Sequence, residues 1–152
     1  MAFPYTYSFE SVNATITGPN GTFSIGQGAG IDEGGISVEM AEPKNTRTTG
    51  ADGLWMHSLH AGRSGKITVR LLKNSVTNAL LSAMYNADTS SPAAHGQNVI
   101  TISNVLSGDV LSGQGCAFSQ QPTMTYAKEG AMVEWAFDVG RIDEHLGAGI
   151  AA

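Results

Sequence analysis

Two runs of strict alternation bracket a long stretch that has none, and this contrast constrains the chain more than any other feature. Ile36, Val38 and Met40 alternate with Gly35, Ser37 and Glu39, and Ile67, Val69 and Leu71 alternate with Lys66, Thr68 and Arg70. Alternation of this kind gives a strand one buried and one solvated face. Between them, residues 41–64 are polar and glycine-punctuated, without clear helical or strand periodicity. A connection that long is uncommon inside a compact domain and is usually functional or disordered. Disorder fits poorly, because Leu54, Trp55, Met56 and Leu59 are apolar groups that a solvated linker lacks. These side chains need a cover, and if their own subunit does not supply it a neighbour must.

The rest of the chain reads mainly as strands. Tyr5, Tyr7 and Phe9 alternate, then Val12, Ala14 and Ile16, and the slip in phase at Glu10–Ser11 predicts a bulge. Gly18-Pro19-Asn20-Gly21 predicts a hairpin pairing Val12–Thr17 with Thr22–Ile25, with Asn20-Gly21 supplying the positive-φ pair of a type I′ turn. One helix is expected from about Ser75 to Ala87, capped by Asn74 or Ser75, with Val76, Leu80, Ala83 and Met84 on its buried face. Asn98–Ser103 reads as a strand, Ser107-Gly108-Asp109 as a turn, and Val110–Ser119 as a strand weakened by Gly113 and Gly115. Another strand is expected through Met124 and Tyr126. The clearest of all has Val133, Trp135, Phe137 and Val139 alternating with Met132, Glu134, Ala136 and Asp138. Residues 147–152, GAGIAA, should form a loose tail. The expected fold is mainly β: one domain over residues 1–152, an antiparallel β-sandwich or barrel with one flanking α-helix and a long extended loop.

Composition narrows the function classes. Only 14% of the residues are charged, against about a quarter in ordinary soluble domains, which suits a surface occupied by copies of the same chain, although a monomer with a Ser/Thr/Asn-rich surface would show the same figure. A formal net charge of -5, with 8 Lys+Arg against 13 Asp+Glu and no basic run, argues against binding nucleic acid by neutralising phosphates. The lone Cys116 excludes an internal disulfide framework and fits synthesis in a reducing cytosol. MAFPYTYSFE lacks the features of a secretion signal, and no run of apolar residues is long enough to span a membrane.

No chemical motif survives scrutiny. The glycine-rich Gly26–Gly35 segment has Ile31 where a dinucleotide fingerprint needs glycine, and Asp32 and Glu33 would repel phosphate. Glu134 and Asp138 share a strand face, but four residues at about 3.3 Å separate them by about 13 Å, too far for an acid/base pair. His57 and His60 have the spacing of two helical metal ligands without a third nearby. Cys116 has no activating neighbour in sequence and reads as a buried structural thiol, while Ser64 in GRSGK lacks a nucleophile elbow. No catalytic, cofactor-binding or metal-binding residue is therefore assigned.

Three long segments, GISVEMAEPKNTRTTGADG (34–53), MHSLHAGRSGKITVRLLKNS (56–75) and NALLSAMYNAD (78–88), carry a resemblance. They resemble the inner tail tube proteins of contractile-tailed phages and prophages. The resemblance implies two packed β-sheets with a flanking helix, six copies closing into a ring, and rings stacking into a hollow tube. Ring closure would pair the edge strands of neighbouring subunits. It also implies that the arm 41–64 reaches a neighbour, with Asn45, Arg47, Leu54, Trp55, Met56, His57 and Leu59 as intersubunit contacts. An acidic lumen that repels DNA phosphates would explain the net charge, with Glu39, Glu134 and Asp138 as lining candidates. The implied partners are the chain itself, tail sheath, tape measure, baseplate and tail terminator proteins, and genome DNA that passes without sequence-specific contact; the implied location is the virion, after assembly in the host cytoplasm.

Two other readings compete. A tube of a related contractile injection system would use the same kind of ring. A monomeric β-sandwich that binds carbohydrate through Trp55 and Trp135 belongs to a different class.

Overall fold

In a computed structural model that describes residues 6–147, the strands are β1 Val12–Gly18, β2 Gly21–Ser24, β3 Ile31–Met40, β4 Asn45–Thr49, β5 Trp55–Leu59, β6 Gly65–Leu71, β7 Asn98–Asn104, β8 Asp109–Phe118 and β9 Val133–His145. One helix, α1, spans Thr77–Asp88 between β6 and β7. The expected strand position at Tyr5 and the loose tail beyond Gly147 lie outside the described residues. The fold is mainly β with one helix, as the alternation requires.

Seven strands form one antiparallel sheet in the order β2-β1-β7-β8-β9-β6-β3, and β4 pairs with β5 alone. A single sheet therefore does the work of two layers. Its alternating inner residues, among them Ile16, Ile67, Ile100, Cys116, Phe137 and Val139, pack into one core. Phe118 meets Tyr85, Trp135 and Phe137 with ring centroids 5.5, 5.8 and 4.8 Å away, which ties the helix to β8 and β9. Among the described residues β2 and β3 are free edges, which keeps two rows of backbone groups open to pairing.

The helix crosses the sheet from one side to the other. At its start Asn78 Oδ1 accepts a 3.0 Å hydrogen bond from Trp135 Nε1. At its end the buried Asp88 accepts from Asn20 Nδ2 in the β1–β2 turn and from Asn98 Nδ2 at the start of β7, at 2.5 and 2.7 Å. Gly18 makes room for this cluster: a Cβ there would lie 1.8 Å from Asn98 Oδ1. A β carbon cannot be accommodated without displacing the amide.

Several local expectations are corrected. The helix buries Thr77, Leu81, Met84 and Asp88, while Val76, Leu80 and Ala83 face outward. The expected cap at Ser75 is present: its Oγ accepts from Thr77 N–H and donates to Ala29 O. The hairpin register pairs Thr17 with Thr22 and Gly18 with Gly21, so Pro19 and Asn20 form the loop. Proline holds φ near −65°, and no non-glycine residue in the described chain has a positive φ, which rules out the type I′ turn. The phase slip at Glu10–Ser11 is absorbed by a 3-10 turn, Phe9–Ser11, rather than a bulge. True register shifts occur instead in β3 between Ile31 and Ile36, and opposite β8, where Gly115 takes φ +65°. β8 is a full ten-residue strand despite its glycines, and Met124 and Tyr126 lie in a loop.

Two predictions follow from this packing. Replacing Asp88 by Ala strands two amides, one of them fully buried, and should cost about 1–3 kcal/mol in urea unfolding; undiminished stability would show that the carboxylate pins nothing. Burial raises the Cys116 thiol from 9.0 to about 11 against a smaller lowering effect of the Ile100 backbone hydrogen bond. The neutral thiol's contribution is thus complete below pH 9.0 and lost as pH rises through about 11. Iodoacetamide at pH 8 should leave the folded protein unmodified and alkylate it once denaturant is added; rapid labelling of the native state would contradict this.

Candidate functional site

The β3–β6 hairpin does not end at Met40 and Gly65. Ala41 N–H bonds Ser64 O and His60 N–H bonds Lys44 O, so the two chains run on together into β4 and β5. The stretch without visible periodicity is thus a second hairpin, with Asn45 opposite Leu59, Arg47 opposite His57 and Thr49 opposite Trp55. Gly50 and Leu54 close its tip, where Gly53 takes φ +85°. Asn45 and His57 side chains meet at 3.2 Å, and Thr46 meets His60 at 2.7 Å. Both imidazoles are thereby engaged within the arm, and no group of three metal-ligating side chains occurs among the described residues.

Neither face of this hairpin is covered by the described residues. Trp55 and Leu59 lie on one face with Asn45, Arg47 and His57, and are 67% and 86% exposed; Met56 lies on the other, 59% exposed. Leu54 at the tip is equally bare. A lone two-stranded hairpin is at best marginally stable in water, and four exposed large apolar groups make the cost greater. All seven arm residues singled out in the sequence fall on this one element.

The arm's root is held firmly. Ile142 N–H bonds Arg63 O, and Arg63 Nη1 lies 2.9 Å from Asp143 Oδ1 on β9. Arg141 Nε approaches the same carboxylate at 3.1 Å. The Arg141 hydrogen bond foremost, and then that of Arg63, hold the Asp143 carboxyl below its ordinary range. Sequence inspection missed this clamp because Arg63 stands 80 residues from Asp143 along the chain.

Glu39, Glu134 and Asp138 do share one outward sheet face. The rows are not uniformly acidic, however. Lys66 stands in register between Glu39 and Asp138, and Arg70 faces Glu134 with Nε 3.5 Å from its carboxylate. Arg70 also donates to Ser37 Oγ at 2.9 Å. Alternation along the β6 segment carried the signal, since Lys66 and Arg70 are two of its solvent-side residues.

The carbohydrate reading loses its second platform here: Trp135 is 3% exposed and its indole N–H is taken by Asn78, so it cannot stack on a sugar. The glycine-rich Gly26–Gly35 segment leads into β3 rather than a helix, which removes the phosphate-loop geometry.

Comparison with known proteins places this architecture. The chain is similar to a protein in the sheath-tube complex of the extracellular contractile injection system PVC in its extended state, with TM-score 0.60, 13% identity, and 93% of each chain covered. It is also similar to a chain in the tube-terminating cap of the anti-feeding prophage, with TM-score 0.57 and 13% identity over 97% of this chain and 95% of that one. A chain of the anti-feeding prophage baseplate gives TM-score 0.54 at 12% identity, covering 96% and 97%. At such identities the likeness shows the fold. No curated protein sequence matches significantly. Residues 4–147 match the family described as Bacteriophage PhiTE tail tube protein, and the chain belongs to that family.

Proposed function

We propose that this chain is the repeating subunit of a contractile-tail tube: six copies close into a ring, the rings stack, and the hollow tube conducts DNA during ejection. The observation that carries the reading is the uncovered arm in a chain of the tail tube family. A segment so poorly stable alone is made to be buried by another copy. The free edges of β2 and β3 support the same reading, since ring closure would pair them and remove the exposed ladders.

The lumen assignment rests on the face bearing Glu39, Glu134 and Asp138. With Lys66 and Arg70 interleaved, that face is a nearly balanced mosaic with a slight acidic excess. A mosaic of this kind offers phosphate no continuous cationic track on which to lodge. The outer surfaces would meet sheath, with terminator and baseplate proteins at the ends and the tape measure inside. The protein's role is structural, without catalysis, and its place is the assembled particle after synthesis in the host cytoplasm.

A tube of a related injection system is the second reading, favoured by the likeness to the PVC and anti-feeding prophage chains. The cargo separates the two, because the phage tube passes DNA and the other need not.

Electron microscopy of the purified protein tests the assembly. Wild-type protein should show rings or tubes with a central hole. Deleting Asn45–Gly62 should leave the seven-stranded sheet folded, by circular dichroism and a cooperative melt, and abolish the tubes. Normal tubes from the deletion would refute the arm's role, and a chain that stays monomeric at high concentration would refute the tube itself.

A further inference from the structure

The two ends of the curled sheet differ. At one end α1 lies across the end of β1, the start of β7 and the start of β9, held by Asp88 and Asn78. Among the described residues the opposite end has no such plug. There the start of β1, the end of β7, the start of β8 and the end of β9 open onto a groove of about 670 Å³, which runs along the inner side of β3 as far as Ile31. Tyr7, Phe9, Ile36, Val38 and Leu111 give it an apolar lining, and Glu144 stands in its wall.

The arm leaves from this same open end. Met40, Lys44 and Arg63 at its root share a surface depression with Ile142 and Glu144 at the end of β9. From the tube reading above we infer a receptor for the arm: the groove takes the Arg47–Trp55–Leu59 face of the arm of a second copy standing beside it in the same ring.

Four observations carry this. The arm has apolar side chains without a cover, and the groove has an apolar lining without an occupant among the described residues. Neither Arg47 on the arm nor Glu144 in the groove has a charged partner within 4.0 Å among the described residues, so the fit is complementary in charge as well as polarity. The volume lies within the roughly 300–1,000 Å³ of pockets that hold compact groups, which suits a Trp and its neighbours rather than a whole domain. Reach also suffices: nine residue steps from Ala41 to Gly50 at about 3.3 Å give about 30 Å, the diameter of a small domain.

The shared end decides the direction. Copies standing side by side with the same end up can exchange arm for groove, a heterologous contact that closes into a ring. Copies stacked head to tail would bring the arm against the helix-plugged end instead. The contact is therefore lateral, within a ring.

Crosslinking tests it in the full chain. Trp55→Cys and Tyr7→Cys are made as separate tagged chains, co-expressed and oxidised; buried Cys116 does not compete. The expected product is the mixed disulfide, present in single rings as well as in tubes. Independently, Arg47→Glu and Glu144→Arg should each raise the concentration needed for assembly at least tenfold, and the two combined should restore it. Rings that form without the mixed disulfide and without charge-swap rescue overturn the groove assignment and leave the tube reading standing; they would point to the chain's own first residues, or another face, as the occupant. A mixed disulfide found only in stacked tubes overturns the lateral direction. Wild-type protein that never assembles overturns both.

Discussion

A buried carboxylate holds this fold together. Asp88 sits at the last turn of the helix and accepts hydrogen bonds from the β1–β2 turn and from the first residue of β7. The end of the helix, the start of β7 and the β1–β2 turn, 68 residues away from Asp88, are thereby fixed against one another, and the curled sheet acquires a closed end. The arrangement depends on small local concessions, above all a glycine at position 18, where a side chain would occupy the space of the Asn98 amide. With one end closed and the arm and free edges left open, the asymmetry that a directional assembly needs is built into a single subunit.

Much of the sheet is legible in the sequence because burial on one face imposes alternation. Ile36–Met40, Ile67–Leu71 and Val133–Val139 all appear as strands in the expected phase. The helix is legible as an element but not in its orientation. Leu80 and Leu81 are adjacent, and a face chosen for its apolar residues alone selects Leu80; the structure instead turns Leu81 and Asp88 inward, the latter because the Asn20 and Asn98 amides are there to receive it. The strand through Cys116 is obscured by glycines that serve as close-packing and bulge positions: a Cβ at Gly113 would lie 3.0 Å from Ile67 and 3.1 Å from Val139. Met124 and Tyr126 alternate without a ladder to join, and Tyr126 instead places its ring under Lys73.

The arm was recognisable by what it lacked. Its strands have no buried face within the subunit, so nothing forces alternation on residues 45–59, and period-two reasoning has no signal to read. The apolar residues marked the segment as unlike a solvated linker, while the pairing of Arg47 with His57 and Thr49 with Trp55 needed coordinates. The same limit applies to charge. A count of acidic residues makes the Glu39–Glu134–Asp138 face look repulsive, whereas cross-strand register inserts a cation into each row. At physiological ionic strength, where screening acts over about 8 Å, such a mosaic presents short-range texture rather than a long-range field.

Because the arm is the direct continuation of β3 and β6, it is also a mechanical element. A pull along it arrives at β6 parallel to the strand and passes into β9 across seven registered pairs, from Gly65–Val139 to Leu71–Val133. Those pairs are loaded together, in shear, instead of being peeled apart one by one from an end. The path thus runs from the exposed tip into β6 and on to β9, and the short non-strand root is braced where Arg63 is tied to β9. Force applied at a contact is delivered to the part of the molecule best built to bear it.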